Sequence, residues 1–244
     1  MAKPVHQLTF LHLIPGVFIT LIIIGMIWPH KEIWGAVLAA FASILVWLLT
    51  YLHSEFQQRE QAQRFRATIW TEMNVLGDAL TREAEWWEER LSVINTELAK
   101  APSQQKWTVT QKRLLTNHQA AVLSANLDRI TDFNTKTADV LIVLLARLRG
   151  LLEQQKAYYE AEDLMIKNGV ETNAFIKNQK NNTALLFQAL VNAAVCAFNA
   201  ALFMDDGKSF LHQHVESTPV ELLVNQAETR QKLKLWREKY GMTG

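Results

Sequence analysis

LTFLHLIPGVFITLIIIGMIW at residues 8–28 and IWGAVLAAFASILVWLLTYL at 33–52 decide the architecture of this chain. Neither stretch contains Asp, Glu, Lys or Arg, and each has the length that a helix needs to cross a hydrocarbon core of about 30 Å. Because only PHKE at 29–32 joins them, both outer ends must lie on one side. The sequence predicts a transmembrane helical hairpin over 1–53, with Trp28 and Trp34 at the membrane interface.

Basic residues near the two stretches predict the orientation of the hairpin. Lys3, Arg59, Arg64 and Arg66 lie beyond its outer ends, whereas Lys31 alone lies in the turn. Since basic residues concentrate on the cytoplasmic side, we expect a multi-pass protein of the bacterial inner membrane with a cytoplasmic N-terminus and C-terminal domain. A cleaved signal peptide is the alternative for 8–28, but the stretch is long for one and lacks a small-x-small cleavage site.

Small residues recur along both stretches at helical spacing. Gly35, Ala39 and Ser43 follow one another every fourth residue, and Gly16 and Thr20 have the same spacing. Such residues let helix backbones approach closely inside a membrane. We predict that they form packing faces, either within the hairpin or between neighbouring copies of the chain.

The remainder, 54–244, is predicted to be an all-α bundle of long amphipathic helices at about 54–100, 108–168, 170–203 and 219–240. A stripe with an average step of 3.6 residues favours a packed bundle over a long coiled coil. We expect a bend near Gly77 or at the membrane surface, and a helix stop at Asn168-Gly169. The stripe comprises Ala62, Phe65, Ile69, Met73, Leu76, Leu80, Ala84, Trp87, Leu91, Ile94 and Leu98. The apolar side of the second helix comprises Leu123, Leu127, Ile130, Phe133, Leu141, Leu144, Leu148 and Leu151.

The uncharged stretch 183–203 has two interpretations. Its length matches a third membrane span. It also contains Gln188, Asn192 and Asn199 near one helical face, and burying those amides in lipid costs free energy. A core helix of the bundle is therefore the preferred interpretation.

Composition excludes several classes of function. The 244 residues carry a formal net charge of +1, which provides no basic face for nucleic acid. The single cysteine, Cys196, lies among apolar residues and is predicted to be a small packed side chain. No glycine-rich phosphate loop, nucleophile elbow, HExxH or CxxC motif is present, so we expect no cofactor, no small-molecule substrate and no enzymatic activity.

Two polar clusters are candidate sites. His212 and His214, close to Asp205 and Asp206, match no common zinc spacing and are interpreted as a solvated loop. Four carboxylates surround Trp86-Trp87, and with Arg82 and Arg90 they are interpreted as a solvated, charge-paired face. Trp87 lies on the apolar stripe and is predicted to be core, whereas Trp86 lies off it and is the candidate partner contact. The carboxylates are Glu83, Glu85, Glu88 and Glu89.

Two resemblances follow from the first stretch and from the outline of the chain. PGVFITL at 15–21, followed by Gly25, resembles the first-span motif of ion-driven motor subunits of the MotA/TolQ/ExbB type, but lacks the Gly-Thr pair that follows there. The order of two spans and a helical body resembles two-span membrane effectors of bacterial antiviral systems. Motor subunits of that type also extend long cytoplasmic helices, and the likeness to the effectors is one of architecture only.

The sequence thus predicts an integral membrane protein that oligomerises or scaffolds a membrane complex through its helical domain. Its partners would be the lipid bilayer and either copies of itself or another protein. A pore-forming or ion-conducting effector is the alternative, although few polar residues in the spans could line a wet pore. A membrane-tethered enzyme is the third hypothesis.

Overall fold

A computed structural model describes residues 31–112, 120–169, 172–204 and 220–242. The regular secondary structure of these residues is entirely helical, in agreement with the predicted all-α class. The α-helices are α1 (Lys31–Leu98), α2 (Ala121–Ala125), α3 (Thr135–Asn168), α4 (Thr172–Met204) and α5 (Val220–Lys239), with 3-10 helices at Pro102–Gln104 and Leu127–Asp132. The chain divides into two compact units, Met1–Gln61 and Ala62–Gly244, which are described separately below.

Helix α1 contributes the central apolar stripe of the C-terminal unit. It continues through Gly77 without interruption. Phe198 packs closely against this glycine and occupies the space that a side chain would need. The predicted stripe is confirmed at nine of its positions, and only Ala62 and Leu98 at its two ends are half-buried. The buried members are Phe65, Ile69, Met73, Leu76, Leu80, Ala84, Trp87, Leu91 and Ile94.

Helix α3 runs parallel to α1. The ring of Phe65, midway along α1, lies 5.7 Å from that of Phe133, just before α3, and the rings of Trp87 and Tyr158 lie 4.9 Å apart further along both helices. Both contacts advance in the same direction along the two helices. The second helix in sequence is therefore not the antiparallel neighbour of the first, and a long connection must lead back between them.

Helix α4 runs antiparallel to α3 along its whole length. Three hydrogen bonds show this, because residues of increasing number from Asn134 to Tyr158 pair with residues of decreasing number on α4. The three pairs are Asn134 Nδ2 to Phe203 O at 3.5 Å, Arg147 Nη1 to Asn192 O at 3.1 Å, and Gln179 Nε2 to Tyr158 O at 3.5 Å. Gly169 makes the tight turn possible with a left-handed φ of 59°, which confirms the predicted helix stop at Asn168-Gly169.

Helix α5 packs against both α1 and α4. Glu85 and Glu88 of α1 accept hydrogen bonds from Lys232 and Trp236, respectively, so α5 runs parallel to α1. The ring of Trp236 also lies 5.3 Å from that of Phe187 on α4. Helices α1, α3 and α5 thus share one direction, and α4 opposes them.

The predicted helix over 108–168 is wrong in its first half. In the structure α3 begins only at Thr135, and residues 105–112 are not helical. Acidic side chains of the long helices bind backbone amides of the connection: Glu162 accepts from Thr110 N at 2.7 Å, and Glu72 accepts from Val122 N at 2.7 Å. These long-range bonds replace the local hydrogen bonds that a helix would supply.

The connection follows α1 back from one end of the C-terminal unit to the other. Arg90 contacts Thr108, Glu72 contacts Val122 and Leu123, and Arg66 donates to the carbonyl of Asp132. Asn134 then caps α3, because its side chain accepts from Thr137 N at 2.8 Å. The prediction that Leu127 lies on the apolar side of a long helix is therefore wrong. Leu127 is 52% exposed and lies in a 3-10 helix.

The last two helices lie close to their predicted positions. Thr172–Met204 is observed where 170–203 is predicted, and Val220–Lys239 where 219–240 is predicted. Gly241 follows the last helix with a φ of 60°, and Met242 N donates to Arg237 O at 3.0 Å. This left-handed residue terminates the helix by satisfying carbonyls at its end.

Candidate functional site

The first part of α1 exposes apolar side chains over most of its circumference, and only the face of Phe41, Leu45 and Leu48 is half-buried. Consecutive helical residues are about 100° apart, so Ile44, Val46, Trp47 and Leu49 point in widely different directions. Each is more than half exposed, and Trp47 is 66% exposed. A helix that is apolar all round belongs in a core or in lipid, and the apolar window of α1 has 0% of its residues buried in the structure.

The polar side chains of this segment satisfy their hydrogen bonds within the helix. Ser43 Oγ donates to Ala39 O at 2.9 Å, and Thr50 Oγ1 donates to Val46 O at 2.8 Å. Hydroxyls that bond to the preceding turn need no water. The segment therefore presents no unsatisfied hydroxyl at these two positions.

The predicted small-residue face lies on α1 and is open. Gly35, Ala39 and Ser43 are exposed, and a Cβ added at Gly35 would meet nothing within 4 Å among the described residues. Trp34 falls within α1. The other predicted membrane residues, Gly16, Thr20 and Trp28, lie outside the described residues.

Two helices in the described part of the chain are long and apolar enough to cross a membrane: Val37–Leu98 within α1, and α4. They differ in burial. In the most apolar 18-residue stretch of each helix, 56% of the residues of α4 are buried, whereas 0% of those of α1 are buried. Gln188 and Asn199 on α4 are exposed and Asn192 is half-buried. The amides that made 183–203 ambiguous thus lie toward the outside of the C-terminal unit.

Trp86, the predicted partner contact, packs within the chain. It is half-buried and meets Trp87 edge to face, with ring centroids 4.9 Å apart. Trp87 is fully buried, as predicted, and its indole Nε1 donates to Glu83 at 3.1 Å. Part of the Trp86 surface is therefore already used inside the C-terminal unit.

Glu88 anchors the end of α5 rather than belonging to a solvated face. It accepts from Trp236 Nε1 at 2.9 Å, Lys239 Nζ at 2.9 Å and Tyr240 Oη at 2.7 Å. Partial burial alone would raise the pKa of the Glu88 carboxyl, but these hydrogen bonds outweigh it and lower the pKa. The hydrogen bonds to Glu88 and Tyr240 raise the pKa of the Lys239 ammonium. The expectation of carboxylates paired with Arg82 and Arg90 is therefore wrong for Glu88.

Arg90 turns away from the carboxylate cluster and pairs with Glu162 inside the C-terminal unit. Their side chains are 9% and 1% exposed, and Arg90 Nη2 lies 3.8 Å from Glu162 Oε1. The guanidinium also lies 4.3 Å from the ring centroid of Trp107, whose Nε1 donates to Glu162 at 2.7 Å. This buried network fixes the connection against α1 and α3. The sequence contained no short-range signal for it, since its members lie up to 72 positions apart.

Among the described residues no group of three or more His, Cys, Asp or Glu side chains could bind a metal ion. Four residues weighed from the sequence, Asp205, Asp206, His212 and His214, lie outside the described residues. Cys196 is a half-buried free cysteine, in keeping with its predicted role as a small packed side chain.

Comparison with known proteins returns no relative. No family model matches the chain, and no curated protein or solved structure matches it.

Proposed function

We propose that this chain is an integral membrane protein that assembles a membrane complex by binding copies of itself or a partner protein. The observation that carries this proposal is the apolar exposure over most of the circumference of the first part of α1. Exposed Ile44, Val46 and Trp47 would be costly in water and are favourable in lipid. No packed core among the described residues covers them.

The proposed topology is a hairpin in the inner membrane. Residues 8–28 and 33–52 cross it in opposite directions, and the N-terminus and the C-terminal helical unit lie in the cytoplasm, where basic residues concentrate. Helix α4 is assigned to the core of that unit and not to a third span. Its greater burial and outward amides support this assignment.

Reporter fusions test the topology directly. A cytoplasm-active reporter at residue 1 and at residue 244 should give signal, and the same reporter in the turn near Lys31 should not. A third span would silence the fusion at 244 alone. An N-terminus outside the cytoplasm would silence both ends, and either result contradicts the proposed arrangement.

Self-association is assigned to the small-residue face of α1. Gly35, Ala39 and Ser43 leave a shallow strip on which a second helix backbone can approach closely. In this scheme neighbouring hairpins pack side by side in the membrane, and the C-terminal unit contributes further contacts. The proposal does not require catalysis by the chain.

Disulfide trapping in native membranes tests the interface. In a Cys196→Ser background, Ala39→Cys lies on the proposed face, and Val37→Cys lies about 160° away on the same helix. We expect oxidation to give a covalent dimer with Ala39→Cys and much less with Val37→Cys. Equal trapping at both positions, or none at either, would contradict a defined packing face.

Electrical recording separates this function from an ion-conducting effector. The purified chain in a planar bilayer should give no discrete conductance, because the hydroxyls of Ser43 and Thr50 in the apolar part of α1 are bonded to its own backbone and few other polar side chains there could line a wet path. Reproducible single-channel currents would contradict the proposed scaffolding function and show that the chain conducts ions.

A further inference from the structure

A groove of about 500 Å³ lies between α4 and α5 on the C-terminal unit. Its floor is apolar: Val195, Phe198 and Leu202 follow one another at steps of three and four residues along α4, and Leu233 faces them from α5. Phe198 and Leu233 are nearly fully buried, but Leu202 is 52% exposed at the mouth. Within the described part of the chain, the groove therefore offers an apolar surface that remains open to solvent.

The rim of the groove is basic. Arg230, Lys234 and Arg237 stand on one face of α5, at steps of four and three residues, and Glu238 is the one acidic residue among the lining side chains. Arg230 is partly engaged already, since its guanidinium lies 5.4 Å from the ring centroid of Phe198. Lys234 and Arg237 supply the positive charge above the apolar floor.

Arg237 also carries an unsatisfied donor. Its Nε is buried and has no hydrogen-bond partner among the described residues. A buried donor without an acceptor is costly, and a guanidinium binds carboxylate and phosphate oxygens most strongly. An anionic group at the rim, with a small rotation of this side chain, would supply the missing acceptor.

We propose that this groove binds an anionic amphiphile, a molecule with a carboxylate or phosphate head and an apolar chain. The head would contact Lys234 and Arg237, and the chain would lie on Val195, Phe198 and Leu202. This site is independent of the membrane segment and of the proposed self-association, so it adds a ligand-dependent role to the C-terminal unit.

The size of the groove favours a small ligand over a protein helix. A volume near 500 Å³ falls within the range of about 300–1,000 Å³ typical of small-molecule sites. The lining spans seven helical steps of α4, from Val195 to Leu202, which is about 10 Å of helix. A stable protein interface buries about 800 Å² on each partner, more than a groove of this length provides.

Photolabelling of the full chain in phosphatidylcholine nanodiscs tests the proposal. A diazirine fatty acid should label the peptide containing Leu202, and mass spectrometry should place the label on the floor residues. Labelling of residues 33–52 by amphiphile dissolved in the bilayer provides the internal reference. A diazirine fatty alcohol, which lacks the charge, should label 33–52 equally and the groove about tenfold less.

Variants assign the label to the groove. Lys234→Gln with Arg237→Gln should lower the groove-to-span labelling ratio about tenfold, as should Leu202→Glu, which places a carboxylate at the exposed mouth. Lys180→Gln, an exposed lysine of α4 outside the groove, is the matched control and should leave the ratio unchanged. Circular dichroism of each variant shows whether the helices remain folded, and Leu202→Glu tests the site even if the double variant unfolds.

The outcomes separate the sources of the ligand and decide the proposal. Labelling by the fatty acid but not by diazirine phosphatidylglycerol identifies a free fatty acid, and the reverse identifies a membrane phospholipid. Label confined to 33–52 with both probes overturns the proposal. A groove label that is unchanged by Leu202→Glu, or equal for the acid and the alcohol, overturns it as well.

Discussion

Phe198 of α4 lies directly over Gly77 of α1. A Cβ built on Gly77 would stand 2.6 Å from Cζ of the Phe198 ring, closer than any real contact of this kind. The ring is 4% exposed, so it has little room to move aside. This close approach explains why a residue with poor helix propensity occupies the middle of the longest described helix.

Gly77→Ala should therefore destabilise the chain. Alanine favours the helix by about 1 kcal/mol, but the forced displacement of Phe198 should outweigh that gain and leave a net loss of about 1–2 kcal/mol. Urea unfolding followed by circular dichroism measures the difference. The result would also show that α1 and α4 stay packed in solution.

Gly150→Ala is the matched control for Gly77→Ala. Gly150 lies inside α3, and a Cβ there would meet nothing within 4 Å. We expect this substitution to stabilise the chain by about 0.5–1 kcal/mol through helix propensity alone. If both alanine variants shifted stability in the same direction, the assigned contact between Gly77 and Phe198 would be wrong.

The pH dependence of stability should report the bonds at Glu88. Because the folded protein lowers the pKa of this carboxyl below its ordinary value of 4.5, the stabilisation is fully present above pH 4.5. It is lost as the pH falls through the lowered pKa of the folded state. Glu88→Gln removes the charge, so at neutral pH it should cost about 1 kcal/mol, and the variant should lose less stability than the parent on acidification.

Thermal melts at pH 7 and pH 3, followed by circular dichroism, measure this effect. Glu89→Gln, an exposed neighbour on the same helix, is the control and should behave like the parent at both values. Parallel melting curves for the parent and Glu88→Gln across that interval would show that the bonds to Lys239, Tyr240 and Trp236 contribute no pH-dependent stability.

Sequence periodicity predicts the buried face of α1, because apolar residues recur along that helix at steps of three and four positions. Burial of Phe65, Ile69 and Met73 follows from their spacing alone. Asn74 and Thr81 on the same helix are fully buried or nearly so, and no periodic rule places polar residues there. Asn74 Nδ2 and Thr81 Oγ1 donate to the carbonyls of Trp70 and Gly77 one turn earlier, which satisfies these two donors, whereas Asn74 Oδ1 has no partner among the described residues.

The connection before α3 could not be predicted in the same way. Its apolar residues mimic a helical stripe, but Glu72 and Glu162 bind its amides from about 50 positions away. One local signal was available, since Asn134 followed by Thr135 is a favourable N-cap, and it marks the true start of α3. The groove between α4 and α5 likewise depends on two helices whose pairing has no local signature.

Glu162→Ala should release the connection. It removes the acceptor for Thr110 N and Trp107 Nε1 and leaves Arg90 buried without its carboxylate, a loss of about 3 kcal/mol or more. Amide hydrogen exchange at Thr110 should become faster, because its backbone donor then lacks a partner. Glu162→Gln is the control, since its amide oxygen can still accept from Thr110 N. If exchange at Thr110 were unchanged in Glu162→Ala, the network would not be what fixes the connection.

The lipid exposure of α1 can be measured by site-directed spin labelling. In a Cys196→Ser background, labels at Leu38 and Ile44 lie about 120° apart on the helix and away from the row of Gly35, Ala39 and Ser43, and Leu49 gives a third position. In proteoliposomes all three should collide with oxygen more than with a water-soluble nickel chelate, because lipid concentrates oxygen and excludes the chelate. A label at the exposed Gln58 should show the opposite preference. If only one of the three positions favoured oxygen, the helix would lie at the membrane surface or against protein, since a helix surrounded by lipid offers no wet side.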